Sequence, residues 1–334
     1  MKIVGPEELE QRREMRRERR RERVLKTVAV LPSLATLGNL LCGLGAIYMC
    51  MLSAQSAGAD LHKVVDSAKI AGFLPSYLAI AAYLLVVAMF FDGIDGRLAR
   101  LTRKTSEFGA QLDSLADIVS FGVAPAVLVL AIAQPTTALK LQSLFPMERL
   151  YWRAEWVMVA VYTACAALRL ARFNVENVED ESAHMGFRGL PSPGAAGAVI
   201  GLVILHQDLL KDYAPVWMSG ALMKMLPPTA MLLGLLMVSR FRYAHMVNTL
   251  LRGRRPLREV VVIVVAGLVG LVVQFQATIA VATVAYALSG PIGGALRRYR
   301  AATGAEVPAL EEEADMVIEA DGEGEPPAGT REVG

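Results

Sequence analysis

Hydrophobic residues gather into long runs near positions 28–53, 77–98, 108–133, 153–173, 190–207, 224–240, 258–273 and 275–290, with polar stretches between them. A helix rises ~1.5 Å per residue, so about 20 residues cross a ~30 Å hydrocarbon core. The pattern therefore predicts an all-α fold, a polytopic membrane helical bundle of about eight spans. The last two runs are short, and Gln274 and Gln276 sit between them. A C-terminal helical hairpin fits them, with one long tilted helix as the alternative. There is no internal repeat and no heptad pattern.

Composition agrees with a membrane chain. Of 334 residues, 54% are hydrophobic and only 20% charged, the aromatic share is 7%, and mean hydropathy is +0.42. This excludes a secreted domain, a disordered protein and a plain cytosolic enzyme. The three cysteines (Cys42, Cys50, Cys165) lie in apolar runs without metal-ligand spacing and read as small packing residues. The four histidines (His62, His184, His206, His245) show no ligand spacing either and read as surface residues. Trp152 and Trp156 read as an interfacial belt, and Gly267 and Gly270 as helix-packing positions.

Charge is segregated along the chain. Residues 1–26 hold ten Lys/Arg and six Glu, a basic arm suited to a membrane surface. Residues 301–334 form an acidic tail whose composition cannot bury a core. Between them lie a membrane core (27–240) and a basic loop with the C-terminal hairpin (241–300). Loops rich in Arg (Arg97, Arg100, Arg103; Arg240, Arg242, Arg252, Arg254, Arg255, Arg258; Arg297, Arg298, Arg300) fall on the side of the basic arm. The positive-inside rule makes that side, and both termini, cytoplasmic.

Charge inside a span is costly and marks function by default. The second run ends Asp92-Gly93-Ile94-Asp95-Gly96-Arg97-Leu98-Ala99-Arg100, and the third carries Gly109, Asp113 and Asp117. Asp92 and Asp95 are three apart and Asp113 and Asp117 four apart, so each pair projects from one helix face. The link near 101–107 is short, which makes the helices antiparallel neighbours. Four carboxylates then converge at the cytoplasmic ends of two helices, and positive charge must compensate them. An all-oxygen set without His or Cys suits Mg²⁺ or Mn²⁺. Two cations ~3.5–4 Å apart would let Asp92 and Asp113 bridge while Asp95 and Asp117 each bind one, a pattern that serves phosphoryl chemistry. Gly93, Gly96 and Gly109 leave the backbone open to a bulky substrate, and Arg100 suits phosphate oxygens. Arg169 and Arg172, near the cytoplasmic end of the fourth span, suit an acceptor carboxylate or a lipid phosphate, with snorkelling as the bland alternative. Two other classes use intramembrane acids: an aspartyl protease and an ion or proton transporter. The first has no use for four acids and Arg100, and the second commonly shows inverted repeats.

The segment from Asp92 to Asp117 matches D-x-x-D-G-x-x-A-R-x8-G-x3-D-x3-D without a gap. In this it resembles the CDP-alcohol phosphotransferases, over about residues 28–240. Ser106–Pro125, Leu168–Asn174 and Phe187–Pro193 are most similar to the CDP-diacylglycerol–serine O-phosphatidyltransferases (phosphatidylserine synthases) of that family. Ser114 and Ile118 stand where relatives making phosphatidylglycerophosphate usually carry Pro and Lys. Ser33 stands where the family often has Asn.

The resemblance implies a six-helix core and transfer of a phosphatidyl group from CDP-diacylglycerol to the hydroxyl of L-serine, releasing CMP. It implies a two-metal site of Asp92, Asp95, Asp113 and Asp117, with Asp117 also the general base. Gly96 and Arg100 would contact the CDP moiety, with Ser106, Ser33 and Thr36 as further contacts. Other acceptors in the family are glycerol 3-phosphate, inositol phosphate and choline. Membrane lipid and a second copy of the chain, as a homodimer, are the expected partners, and nucleic acid is not. The expected location is a bacterial-type inner (plasma) membrane, with the active site cytoplasmic.

Overall fold

In hydrocarbon no water satisfies backbone N–H and C=O groups, so an apolar run must pair them internally and folds as a helix. In the computed structural model, which describes residues 32–55, 76–102, 107–133, 146–179, 187–210, 214–243 and 257–303, every predicted run does so. The elements are α1 (Pro32–Gln55), α2 (Tyr77–Thr102), α3 (Glu107–Asp117), α4 (Ala124–Ala133), α5 (Pro146–Glu179), β1 (Phe187–Arg188), α6 (Ser192–Leu205), α7 (Val216–Val238), β2 (Arg242–Tyr243), α8 (Leu257–Val273) and α9 (Phe275–Thr303). A π-helical stretch, Ile118–Val123, joins α3 to α4 in one span, and a second, His206–Leu210, extends α6. Seven helices among the described residues are long and apolar enough to cross a membrane. The protein is a multi-pass integral membrane protein. α8, with 17 residues, stands at the short end of the spanning range. The basic arm, the acidic tail beyond Thr303, Ser106, His62, His184 and His245 lie outside the described residues, and residues 301–303, expected in that tail, instead end α9.

Three helices run well past the apolar pattern, among them α9, which continues beyond 290 to Thr303. α5 extends past 153–173 at both ends, and α7 starts at Val216, not near 224. Charged and polar residues at helix ends hide the helix from a hydropathy reading without breaking it. α8 and α9 are separated at Gln274. A Cβ on Gly270 would lie 2.8 Å from Thr278 Oγ1, although a continuous helix would hold these positions about 12 Å apart. The two runs are a hairpin, not one tilted helix.

Small residues let the helices close on one another. α1 turns Thr36, Asn39, Ala46 and Cys50 inward and Leu34, Leu37, Leu41, Leu44, Tyr48 and Met51 outward, a lipid-facing stripe at helical spacing. Cys50 and Cys165 are buried, as packing residues. α6 presents Gly194, Gly197 and Gly201 to α9; a Cβ at Gly201 would stand 2.9 Å from the Ala280 Cα. Gly270 also packs, against Thr278 of α9, as expected, whereas the packing role expected of Gly267 is corrected. Beside Gly267 there is open space. The signal for the α6 glycines was the Gly197-x-x-x-Gly201 spacing, which sits inside an already apolar run.

At the end of the bundle where β1 and β2 lie, these strands pair antiparallel, Phe187 opposite Tyr243 and Arg188 opposite Arg242. Gly189 follows at φ +86°, where a side chain would run into the Met237 carbonyl. Its N–H donates to the Phe241 carbonyl (2.8 Å) and that of Leu190 to the Leu236 carbonyl (3.0 Å). Pro191 then caps α6 and Pro193 sits in its first turn, where a missing N–H costs nothing. The Tyr243 hydroxyl donates to the Ala287 carbonyl of α9 (3.0 Å). Burial, with a smaller effect from Tyr286, pushes this phenol up to about 12, so it remains a donor at neutral pH.

The other end of the bundle holds a buried polar network. Ser76 Oγ accepts the Ala79 N–H, capping α2, and donates to Gln207 Oε1 (3.0 Å). Gln207 reaches His206, whose Nε2 lies 2.9 Å from Ser219 Oγ, and Tyr83 donates to Asp208 (2.6 Å). His206 is 3% exposed, so its reading as a surface residue is corrected. The π-helical turn carries it inward, a change of register that apolar periodicity does not reveal.

The α6–α9 contact yields the first prediction. Gly201→Leu overpacks it and should cost about 1–3 kcal/mol, read as a lowered melting temperature in detergent, whereas Gly267→Leu, in open space, should melt as the parent does.

Candidate active site

Three of the four aspartates meet closely. Asp92, Asp95 and Asp113 each offer a carboxylate oxygen, and these three oxygens lie within 4.8 Å of one another. Asp92 and Asp95 are one turn apart near the end of α2, and Asp113 faces them from α3. Asp95 is 4% exposed. One oxygen of Asp95 and one of Asp113 are buried without a hydrogen-bond partner. Buried carboxylate oxygens with no donor, converging in a set containing only oxygen, fit a hard divalent cation.

Asp117 stands one turn further along α3, beside the triad, and interacts electrostatically with Asp92, Asp113 and Asp95. Its Oδ1 accepts a hydrogen bond from Asn39 Nδ2 of α1 (3.1 Å). Asn39 is fully buried, and its backbone carbonyl accepts from Ser120 Oγ (3.0 Å). Ser120 belongs to the π-helical stretch that begins immediately after Asp117. The wider turn leaves carbonyls exposed to neighbouring side chains: Phe121 O accepts from the Tyr162 hydroxyl (2.8 Å) and Gly122 O from Thr163 Oγ1 (3.5 Å). α1 and α5 thus fix the stretch that presents Asp117. Asn39 was missed in the sequence; a polar residue inside the first apolar run was the available signal.

The remaining expected residues fall as follows. Thr36, 4% exposed, makes a hydrogen bond with the Asp95 side chain and has its hydroxyl 3.0 Å from the Pro32 carbonyl. It braces the acidic cluster. Ser33 is half-buried one turn earlier. The Gly96 backbone also makes a hydrogen bond with the Asp95 side chain. Nothing lies within 4 Å of the side-chain positions of Gly93 and Gly96, so the α2 backbone there faces open space. Arg100 continues α2 two turns after Asp92; its side chain lies outside the described ones, and Ser106 lies outside them entirely.

Arg169 and Arg172 diverge. Arg172 is exposed, whereas Arg169 turns inward, donates from Nη1 to Ser192 Oγ (2.9 Å) and interacts electrostatically with Asp117. Asn174 and Ser114 bond each other, with Nδ2 to Oγ at 2.9 Å. This pair ties α5 to α3 one residue after Asp113.

A family model described as CDP-alcohol phosphatidyltransferase matches residues 29–233. The chain is 35% identical over 166 residues to the CDP-diacylglycerol–serine O-phosphatidyltransferase of Helicobacter pylori, covering 50% of this chain and 61% of that protein. The protein of the same name from Mycobacterium tuberculosis is 37% identical over 143 residues (42% and 44%), and that from Saccharomyces cerevisiae 35% over 147 residues (42% and 48%). The chain thus spans about half the length of the curated relatives it matches.

Divalent cations should stabilise this site measurably. At about 100 times its Kd, Mn²⁺ should add about 2.7 kcal/mol and raise the melting temperature of the purified protein by several degrees. Asp113→Asn should abolish that rise while leaving the protein folded.

Proposed function

The chain belongs to the CDP-alcohol phosphatidyltransferase family, and from that premise we propose that it transfers the phosphatidyl group of CDP-diacylglycerol to the hydroxyl of L-serine. The products are phosphatidylserine and CMP. The observation that carries this reading is the meeting of Asp92, Asp95 and Asp113 within 4.8 Å beside Asp117. The choice of serine among acceptor alcohols is supported by the names of the relatives and by the inward Arg169, which suits a carboxylate.

Asp92, Asp95, Asp113 and Asp117 would hold Mg²⁺ or Mn²⁺. Two such ions, when bound, would supply positive charge to the pyrophosphate and to departing CMP. The open backbone at Gly93 and Gly96 admits the CDP moiety, with Arg100 reaching its phosphate oxygens and Ser33 and Ser106 as further contacts. Thr36 keeps Asp95 in place. The serine hydroxyl attacks the β-phosphorus: a new P–O bond forms, the P–O bond to CMP breaks, and CMP leaves with the electron pair. Asp117 takes the hydroxyl proton. Asn39, by donating to Oδ1 of Asp117, orients the carboxylate so that its other oxygen faces the acceptor. Arg169 receives the serine carboxylate. The acyl chains remain in the bilayer, which suits a site at the lipid–water boundary, and the basic loops put that site and both chain ends on the cytoplasmic side. A homodimer in the membrane is the proposed assembly.

The test is CMP release by purified protein supplied with CDP-diacylglycerol, Mg²⁺ or Mn²⁺, and a panel of alcohols. Release should require L-serine and cease with EDTA. Asp117→Asn should lower kcat by ~10²–10⁴-fold. Asn39→Ala should lower kcat with little change in KM. Release equally rapid with glycerol 3-phosphate, inositol phosphate or choline would reassign the acceptor, and EDTA-insensitive turnover would contradict the mechanism.

A further inference from the structure

α9 lies wholly beyond residue 233, where the family match ends, yet it reaches the site. Its Tyr286 lies against the first turn of α6: a Cβ on Gly194 would stand 2.8 Å from Tyr286 Cε1, so the glycine makes room for the ring. Two residues before Gly194, Ser192 receives the Nη1 hydrogen bond of Arg169. The Tyr286 ring is also braced by Tyr243, with centroids 5.9 Å apart and planes at 57°, and Tyr243 is tied to the Ala287 carbonyl of α9. The phenol and the Arg169 guanidinium interact electrostatically, and Arg169 also interacts with Asp117. Arg169 Nε is buried and has no hydrogen-bond partner.

A guanidinium held at one Nη with its buried Nε–H unpaired is a fork with one edge uncommitted. A carboxylate fills such an edge with two parallel hydrogen bonds, and a phenol hydroxyl beside it can donate a third. In a 2-amino-3-hydroxy acid the carboxylate is two carbons from the hydroxymethyl carbon, so a carboxylate on Arg169 leaves the hydroxyl within reach of a base on the same side. We propose that Tyr286 of the C-terminal helix, together with Arg169, forms the subsite for the carboxylate of the amino-acid acceptor. This rests on the transferase reading above and names the subsite that distinguishes serine from an amino alcohol lacking the acid. It also gives the C-terminal hairpin a part in acceptor selection beyond anchorage.

Tyr286→Phe removes the hydroxyl and keeps the ring against Gly194 and Tyr243. The KM for L-serine should rise about ten-fold or more, while the KM for CDP-diacylglycerol and kcat at saturating serine hold. The preference for serine over ethanolamine in CMP release should narrow by the same factor. Gly194→Ala displaces the ring without altering it and should give the same pattern. L-Serine should raise the melting temperature of the wild type and not that of Tyr286→Phe. An unchanged serine KM in Tyr286→Phe, with serine-dependent CMP release intact in the wild type, overturns the proposal and leaves the transferase reading standing. Wild-type protein that releases no CMP with any alcohol removes that reading, and the subsite with it.

Discussion

Carboxylates brought together at a membrane helix end repel one another and lose hydration, and the rest of the site is organised around that cost. Two unit charges 4.8 Å apart repel by about 3 kcal/mol at an effective dielectric of ~20. Hydrogen bonds from Thr36, the Gly96 backbone and Asn39 offset part of this. The inward Arg169 supplies one positive charge. Divalent cations would relieve what remains, and the uncommitted oxygens of Asp95 and Asp113 are the places that could receive them.

The scaffold answers to this constraint. α1 carries no charged side chain, yet it sends two polar side chains to two different aspartates. The π-helical stretch after Asp117 turns a carbonyl to Tyr162 and a hydroxyl to the backbone of Asn39, locking α3 between α1 and α5. The two-residue ladder and Gly189 hold the entry to α6, so that Ser192 meets Arg169 and Tyr286 of α9 packs against Gly194. The proposed site is thereby built by fixed helix packing, and its open side is left at Gly93 and Gly96.

Much of this was legible in the sequence because spacing carries it. The runs of apolar residues gave the helices, and three- and four-residue intervals put each aspartate pair on one face. What escaped depends on information that periodicity does not contain. Asn39 was visible as a polar residue in an apolar run, but its partner lies 78 positions away. His206 changed from surface to core because a π-helical turn shifts the register that a 3.6-residue period assumes. Tyr286 looks like any span aromatic until α9 is packed on the glycines of α6.

The most direct test of the account is electron paramagnetic resonance of Mn²⁺ titrated into the purified protein. The account predicts bound ions whose signal is broadened by coupling between neighbours, and loss of that binding in a folded Asp92→Asn/Asp113→Asn double variant. Mn²⁺ binding undiminished in that variant would contradict it.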